Sequence, residues 1–240
     1  MHTKLYLIRH GETEGADAKR YKGHIDVPLS QNGVRQMQRL SKYIHKLIAH
    51  SSQSTELNAV YTSDLSRAVK SAEIIAKPHG LKPVVIKDLK ERNFGIWEGM
   101  SFDEIKHKYS EEFDAWTDNP LKFSPMRGES TVEVKDRAIA ALGKILSKHN
   151  YQSTDKNSPG SENIAIVSHG GINRIVLCHL LGIPLENIFR IEQDFAAVNI
   201  IEFYDDYPVV KLINYRVPSK QPAGKQNTER RTQTGKIQNA

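Results

Sequence analysis

The sequence predicts an α/β fold built on a largely parallel sheet. Short apolar runs, typical of buried strands, alternate with longer segments in which apolar residues recur at helical spacing. The last two strand segments, 198–204 and 209–215, are separated by only four residues, which is too short for a crossover helix. We therefore expect a mostly parallel sheet that ends in an antiparallel C-terminal hairpin.

The first half of the chain supplies three strands and two helices. Apolar runs mark the strands, and apolar residues spaced three and four apart mark the helices. The predicted elements are a strand at 5–8, a helix at 34–48, a strand at 58–61, a helix capped by Ser63 or Asp64 and ended by Pro78 and Gly80, and a strand at 83–86.

The second half continues the alternation. Ser130 and Glu133 have the spacing of a capping box, so a helix should run from there to about Lys148. The further predicted elements are a polar loop at 150–162, a strand at 164–167, a helix ended by Gly182 and Pro184, and the two final strands.

Composition favours one globular domain followed by a basic tail. Of the 240 residues, 38% are hydrophobic and 26% are charged, which suffices for a sizeable core. Residues 219–240 hold five basic residues and one acid, so +4 of the net charge of +6 lies there. We predict a domain at 1–218 and a disordered tail at 219–240. The domain itself is close to neutral, unlike a typical nucleic-acid-binding domain.

The single cysteine, Cys178, excludes a disulfide framework and a cysteine-rich zinc module. No apolar run is long enough for a signal peptide or a membrane helix. We therefore expect a protein of the reducing cytoplasm.

Two of the predicted strands end in the same pair of residues. The strand at 5–8 is followed by Arg9, His10 and Gly11, and the strand at 164–167 by Ser168, His169 and Gly170. In open α/β sheets, ligands bind beyond the carboxyl ends of the strands, so both histidines should face one site if these strands are neighbours. A lone histidine is more often structural, and it is the matched pair that indicates a site.

Cationic and acidic side chains accompany this pair. Arg9 adjoins the first histidine, and Arg67 lies in the first turn of the second predicted helix. Two arginines and two histidines would form a cage for a tetrahedral anion, since guanidinium groups grip phosphate oxygens in pairs. Glu91 opens a segment that ends at Gly99, and it is either a general acid beside this cage or a surface carboxylate paired with Arg92.

These residues resemble the signature of the histidine phosphatase superfamily, in its phosphoglycerate-mutase-like branch. Arg-His-Gly alone is a weak signal, but five blocks follow in the family's order between residues 5 and 199. The matching blocks are 9–13, 20–30, 63–68, 91–99 and 168–171. The resemblance implies a three-layer α/β/α sandwich.

The resemblance also implies a reaction through a covalent phosphohistidine that needs no metal or other cofactor. The nucleophile would be a histidine held in one tautomer, and cationic side chains would take the role often given to magnesium. The roles carried over are catalytic for His10, Glu91 and His169, and substrate-binding for Arg9, Arg67, Gly23 and Gly170. Many relatives have Trp-Asn where this chain has Gly15 and Ala16, so one amide contact to phosphate is missing or supplied from elsewhere.

The outer positions favour a phosphatase over a mutase. Mutases of this kind place a lysine where this chain has Phe102, paired arginines in the insert that follows, and an asparagine where Gly171 stands. Here no arginine lies between residues 102 and 125. The aromatic residues of this stretch that are not needed for the core could contact a bulky, weakly charged leaving group; the candidates are Phe94, Trp97, Phe102, Phe113 and Trp116.

The segments 91–99 and 128–130 look most like the α-ribazole phosphatase and broad-specificity phosphatase branches. The expected partner is therefore a small phosphomonoester, with α-ribazole 5′-phosphate as one candidate. Two alternatives stay open: a cofactor-dependent phosphoglycerate mutase, and a non-catalytic protein that binds phospholigands or RNA on the same scaffold. The tail lacks aromatic residues for base stacking, so we expect no nucleic acid, and no membrane, as partner. A second copy of the chain, in a homodimer, is a further partner that the sequence allows.

Overall fold

The structure is a computed structural model that describes residues 2–18, 20–51, 54–149, 161–205 and 207–219. The predicted tail beyond Ser219 and most of the predicted loop at 150–162 lie outside these ranges. In the described part of the chain, no helix combines the length and apolar character needed to cross a membrane.

One sheet of six described strands forms the centre. The strands are β1 (His2–Arg9), β2 (Ala59–Thr62), β3 (Val84–Val85), β4 (Ser161–Ser168), β5 (Val198–Tyr204) and β6 (Tyr207–Tyr215). Their order across the sheet is β3-β2-β4-β1-β5-β6. Only β5 runs against the others, because it pairs antiparallel with both β1 and β6 while the remaining pairs are parallel. The predicted mostly parallel sheet with an antiparallel C-terminal pair is confirmed.

Helices cover both faces of the sheet. They are α1 (Gln31–Ala49), α2 (Ser66–Ala76), α3 (Phe102–Lys108), α4 (Ser110–Asp118), α5 (Thr131–His149) and α6 (Gly170–Leu181). Leu5 and Leu7 of β1 pack on one face of the sheet with α5 and α6, whereas Tyr6 and Ile8 pack on the other face with α1 and α2. The three-layer arrangement follows from this two-sided burial and confirms the predicted fold class.

Several predicted boundaries are corrected. The strand predicted at 83–86 contains only two residues, and β4 begins at Ser161, inside the predicted loop. The N-cap residue of α2 is Leu65, and no side chain forms a capping hydrogen bond to this helix. The predicted cap by Ser63 or Asp64 is therefore wrong. The capping box of α5 is confirmed, since Ser130 and Glu133 exchange hydrogen bonds between their side chains and backbone N–H groups.

Helices α3 and α4 lie in the insert at 101–127, a segment to which the sequence patterns assign no helix or strand. Ser101 and Glu104 form a capping box at the start of α3, so the sequence did carry a signal for it. Trp97, Ile105 and Phe113 form a small core of their own beneath these helices. The insert therefore adds a third hydrophobic cluster at the edge of the sandwich.

Candidate active site

The parallel pairing of β1 and β4 brings the two His-Gly segments together. Arg9 lies opposite Ser168 in the register, and the N–H of His10 donates to the carbonyl of Ser168 at 3.0 Å. The ring centroids of His10 and His169 are 5.2 Å apart. One cavity at this edge is lined by most of the predicted site residues, and we call it the anion pocket; these residues are Arg9, His10, Gly23, Arg67, Glu91 and Gly170.

The tautomer of His10 is fixed by its neighbour. Its Nδ1 lies 2.7 Å from the carbonyl oxygen of Gly11, which can only accept, so the proton sits on Nδ1 and the lone pair on Nε2. Burial, with the charges of Arg9 and Arg67, holds the pKa of His10 well below its usual value. A neutral imidazole with a free nitrogen lone pair is the nucleophilic form of histidine.

His169 is fully buried beside His10. Its Nε2 lies 2.7 Å from the hydroxyl oxygen of Ser63, and its Nδ1 is buried without a hydrogen-bond partner among the described residues. Burial and the neighbouring His10 keep the pKa of His169 well below its usual value. The Ser63 hydroxyl accepts the N–H of Leu65 at 3.4 Å. When this hydroxyl donates its own proton to Nε2, the ring proton of His169 lies on Nδ1.

Arg9 is held by the loop that follows α6. One Nη group donates to the carbonyl oxygen of Gln193, and the guanidinium carbon lies 3.9 Å from the centre of the Phe195 ring. Its Nε is buried with no partner in the described ranges. Burial, and the charges of Arg174 and Arg67, lower the pKa of Arg9 to about 10, so it stays cationic at neutral pH.

Arg67 is held by backbone carbonyl groups. Its Nη1 donates to the carbonyl of Ile25 at 2.8 Å, and its Nη2 to that of Gly23 at 2.6 Å. Gly23 has a φ of +45°, and a Cβ there would lie 2.2 Å from a carboxylate oxygen of Glu98. This position therefore needs glycine for backbone reasons, and its carbonyl orients Arg67.

Glu91 faces the pocket from the segment after β3. Its two carboxylate oxygens accept from the backbone N–H groups of Arg92 and Gly171, each at 3.0 Å. A Cβ at Gly171 would lie 2.4 Å from Glu91 Oε1. The carboxylate therefore occupies space that only glycine at position 171 leaves free.

Gly171→Ala should displace this carboxylate and lower kcat/KM for a phosphomonoester by about 10²-fold, the typical effect of a 1 Å misplacement at a reacting centre. Gly143→Ala is the matched control, since nothing lies within 4 Å of its Cβ on α5. That variant should keep its activity and gain about 0.5–1 kcal/mol of stability from the removal of a helical glycine. A folded Gly171→Ala enzyme with full activity would show that the carboxylate is not needed where it lies.

Burial of neutral His10 also has a cost at low pH. Because its pKa is lower in the folded than in the unfolded protein, the unfolded state takes up the proton first as the pH falls through about 6.5. The free energy of unfolding should therefore fall below that pH by up to about 1.4 kcal/mol per pH unit from this one group. Urea unfolding at pH 7.5 and at pH 5.5 gives the free energy of unfolding at each pH. This free energy should fall less between the two pH values in His10→Asn than in the unchanged protein. An equal fall in the two proteins would contradict a buried, neutral His10.

Further residues of this site are not predicted from the sequence. Ser63, which the sequence predicts as a helix cap, lies against His169, and Phe195 and Arg174 line the anion pocket. Arg174 lies one turn after Gly170 on α6, so the helical spacing was the signal that could have found it. Ala16, at the position where the resemblance leads us to expect asparagine, lines the anion pocket, and Lys22 lines it as well.

A second cavity adjoins the anion pocket. It measures about 860 Å³ including its open mouth, and both cavities share Tyr21, Glu91, Phe94, Gly171 and Arg174. We call it the aromatic cavity after the rings that line it, which are those of Tyr21, Phe94, Trp97, Phe102, Phe113, Trp116 and Phe189. All five aromatic residues singled out in the sequence thus line one space. Within the described ranges, no three histidine, cysteine, aspartate or glutamate side chains cluster as metal ligands.

These features define a cationic pocket at the ligand edge of an α/β sheet, and comparison with known proteins identifies the family of the chain. The model of the histidine phosphatase superfamily (branch 1) matches residues 5–216, so the chain belongs to this superfamily. Together with its phosphatase-named relatives, this membership supports a phosphatase, that is, a phosphoric monoester hydrolase.

The relatives cover nearly the whole domain. The chain is 29% identical to phosphoserine phosphatase 1 of Hydrogenobacter thermophilus over 88% of its length and 92% of that protein. It is 26% identical to adenosylcobalamin/alpha-ribazole phosphatase of Escherichia coli K12 over 89% of this chain and 96% of that protein. The crystal structure of the alpha-ribazole phosphatase from Shigella flexneri has a TM-score of 0.74 at 26% identity and covers 91% of this chain and 100% of that one.

Proposed function

We propose that this protein hydrolyses phosphomonoesters through a phosphohistidine formed on His10. The observation that carries the proposal is a neutral imidazole with its Nε2 lone pair free, beside two buried groups that have no partner among the described residues, Arg9 Nε and His169 Nδ1. An unpartnered buried donor is costly in a folded protein. The oxygens of a bound phosphoryl group would satisfy both.

The first chemical step is attack on phosphorus. The Nε2 lone pair of His10 forms the N–P bond while the bond from phosphorus to the ester oxygen breaks. Arg9, Arg67 and His169 hold the phosphoryl oxygens and the charge that builds up on them. The carbonyl of Gly11 stabilises the positive charge that develops on the ring, through the Nδ1–H bond.

Glu91 transfers protons in both steps. It gives a proton to the departing alkoxide, and its carboxylate then removes one from the water that attacks the phosphohistidine. The N–P electron pair returns to Nε2, inorganic phosphate leaves, and His10 is neutral again. Gly23 contributes by orienting Arg67, and Gly170 by leaving the phosphoryl group room beside Arg9.

The aromatic cavity receives the alcohol part of the substrate. Glu91 lies at the junction of the two cavities, so an ester oxygen beside it directs the alcohol towards the aromatic rings. Phe102, at the position of the mutase lysine, contributes one of these rings. This lining favours an aromatic alcohol over glycerate, and α-ribazole 5′-phosphate is a compound of that class.

Two substrates that share their phosphate and sugar test this. α-Ribazole 5′-phosphate carries an aromatic base that ribose 5-phosphate lacks, and burial of such a group contributes about 1.5–3 kcal/mol. We expect kcat/KM to be at least about tenfold higher for α-ribazole 5′-phosphate, measured as phosphate release. Equal values would show that the cavity is not used. Isomerisation of 3-phosphoglycerate in place of phosphate release would favour the mutase instead.

Turnover should survive EDTA, because Arg9 and Arg67 supply the positive charge that a metal ion would otherwise bring. The measurement is phosphate release after overnight dialysis against chelator, with and without added Mg²⁺, Mn²⁺ or Zn²⁺. The two rates should agree within about twofold, well below the effect of losing a group essential to catalysis. Loss of turnover that a divalent metal restores would contradict the proposed mechanism.

A further inference from the structure

Arg174 is a guanidinium group that the proposed reaction leaves unused. It lies on α6 and lines both the anion pocket and the aromatic cavity. Its Nε is anchored to the carbonyl of Ile191 at 2.7 Å. No described carboxylate pairs with it, and its two terminal nitrogens have no hydrogen-bond partner in the described part of the chain.

The other arginines around these cavities are occupied. Arg20 forms a bidentate pair with Glu104, and Arg92 donates to Thr131 and to two backbone carbonyls. Arg9 and Arg67 each donate to backbone carbonyls, and the proposed reaction assigns both to the phosphoryl group. Among the described arginines that line the two cavities, only Arg174 has both terminal nitrogens without a described hydrogen-bond partner, and it lies where the two cavities meet. The geometry of such a fork matches a carboxylate or another ionised group with two oxygens.

A second donor lies deeper in the same space. The indole Nε1 of Trp97 is buried and has no partner in the described ranges, although the residue lines the aromatic cavity. A buried tryptophan N–H usually finds an acceptor. A purely hydrocarbon ligand would leave this donor and the fork of Arg174 unsatisfied, so the cavity suits a ring that carries oxygen.

We propose that Arg174 forms a second anion subsite, which takes an ionised oxygen group on an aromatic alcohol part. This inference rests on the proposed function, because it places the ester oxygen at Glu91. It narrows the substrate class to aromatic phosphomonoesters that carry a carboxylate or a comparable anion on the alcohol part. The uncharged nucleoside of α-ribazole 5′-phosphate would leave this subsite empty.

Binding of substrate analogues that cannot be hydrolysed tests the subsite apart from catalysis. Benzylphosphonate and 3-carboxybenzylphosphonate differ only in the carboxylate, and calorimetry gives a Kd for each. Hydrogen bonds to charged groups contribute enough for at least about tenfold tighter binding of the carboxylated compound. Arg174→Gln should reduce that ratio to about one.

Arg20→Gln is the matched control. It removes one positive charge from the lining of the anion pocket, as Arg174→Gln does, but the guanidinium group of Arg20 is already paired with Glu104. It should keep the tenfold ratio. If the unchanged protein binds both phosphonates with the same Kd, the subsite does not exist. If Arg174→Gln weakens the binding of both phosphonates equally, Arg174 binds the phosphoryl group instead, and this outcome also overturns the subsite. Hydrolysis of phenyl phosphate is measured separately, so failure of the phosphatase proposal is distinguished from failure of the subsite.

Discussion

His10→Ala should abolish turnover, with a loss of at least about 10⁴-fold in kcat for any phosphomonoester. Removal of a nucleophile that acts with its partners as one unit typically costs this much or more. The unchanged enzyme, quenched during turnover of a ³²P-labelled substrate, should carry label that acid removes and base does not. The variant should carry none.

His107→Ala is the matched control, since His107 is an exposed residue of α3 outside both cavities. It should keep both turnover and label. Because His10 is buried, the variant's fold must be verified by its thermal unfolding before its activity is interpreted. Substantial turnover by folded His10→Ala, or label that moves to another residue, would exclude His10 as the nucleophile.

Glu91→Gln should show a loss that depends on the leaving group. Glutamine keeps the size of the side chain but cannot give up the proton, so an alkyl phosphate, whose alkoxide leaves poorly, should slow by about 10²–10⁴-fold. p-Nitrophenyl phosphate, whose phenolate leaves readily, should slow much less. The phosphorylation step has to be measured in a single turnover, because Glu91 also serves as a base in hydrolysis.

Glu98→Gln separates this effect from general damage. Glu98 accepts backbone N–H groups of His24, Ile25 and Phe94, so it supports the loop that holds Arg67. Its replacement should slow both substrates by similar factors. The same uniform loss in Glu91→Gln would make Glu91 a structural residue and leave the proton donor to be found elsewhere.

The strand ends could be predicted from the sequence because local patterns determine them. β1 and β4 each contain a continuous apolar run, at 5–8 and 164–167, because both of their faces are covered there, and each strand ends just before His10 or His169. That β1 and β4 are neighbours in the sheet depends on tertiary contacts. The His-Gly pair that follows both strands nevertheless indicated that they would lie side by side. The start of α5 could be predicted for the same reason, because its capping box involves only Ser130 and Glu133, three residues apart.

What could not be predicted depends on contacts between distant segments. Ser63 looks like a helix cap in the sequence, yet its hydroxyl bonds His169, which lies 106 residues away. Phe195 covers Arg9 from a loop where Ala196 has a φ of 55°, a conformation that no sequence pattern announces at alanine. The unoccupied fork of Arg174 could be recognised only once the partners of its neighbours were known.

The fit between Gly171 and Glu91 links these two positions in any evolutionary change of activity. A side chain at position 171 would displace the carboxylate, and the backbone N–H of the same residue is one of the groups that hold it. A change at position 171 therefore also changes where the carboxylate of Glu91 lies, so the two positions cannot be varied independently of each other.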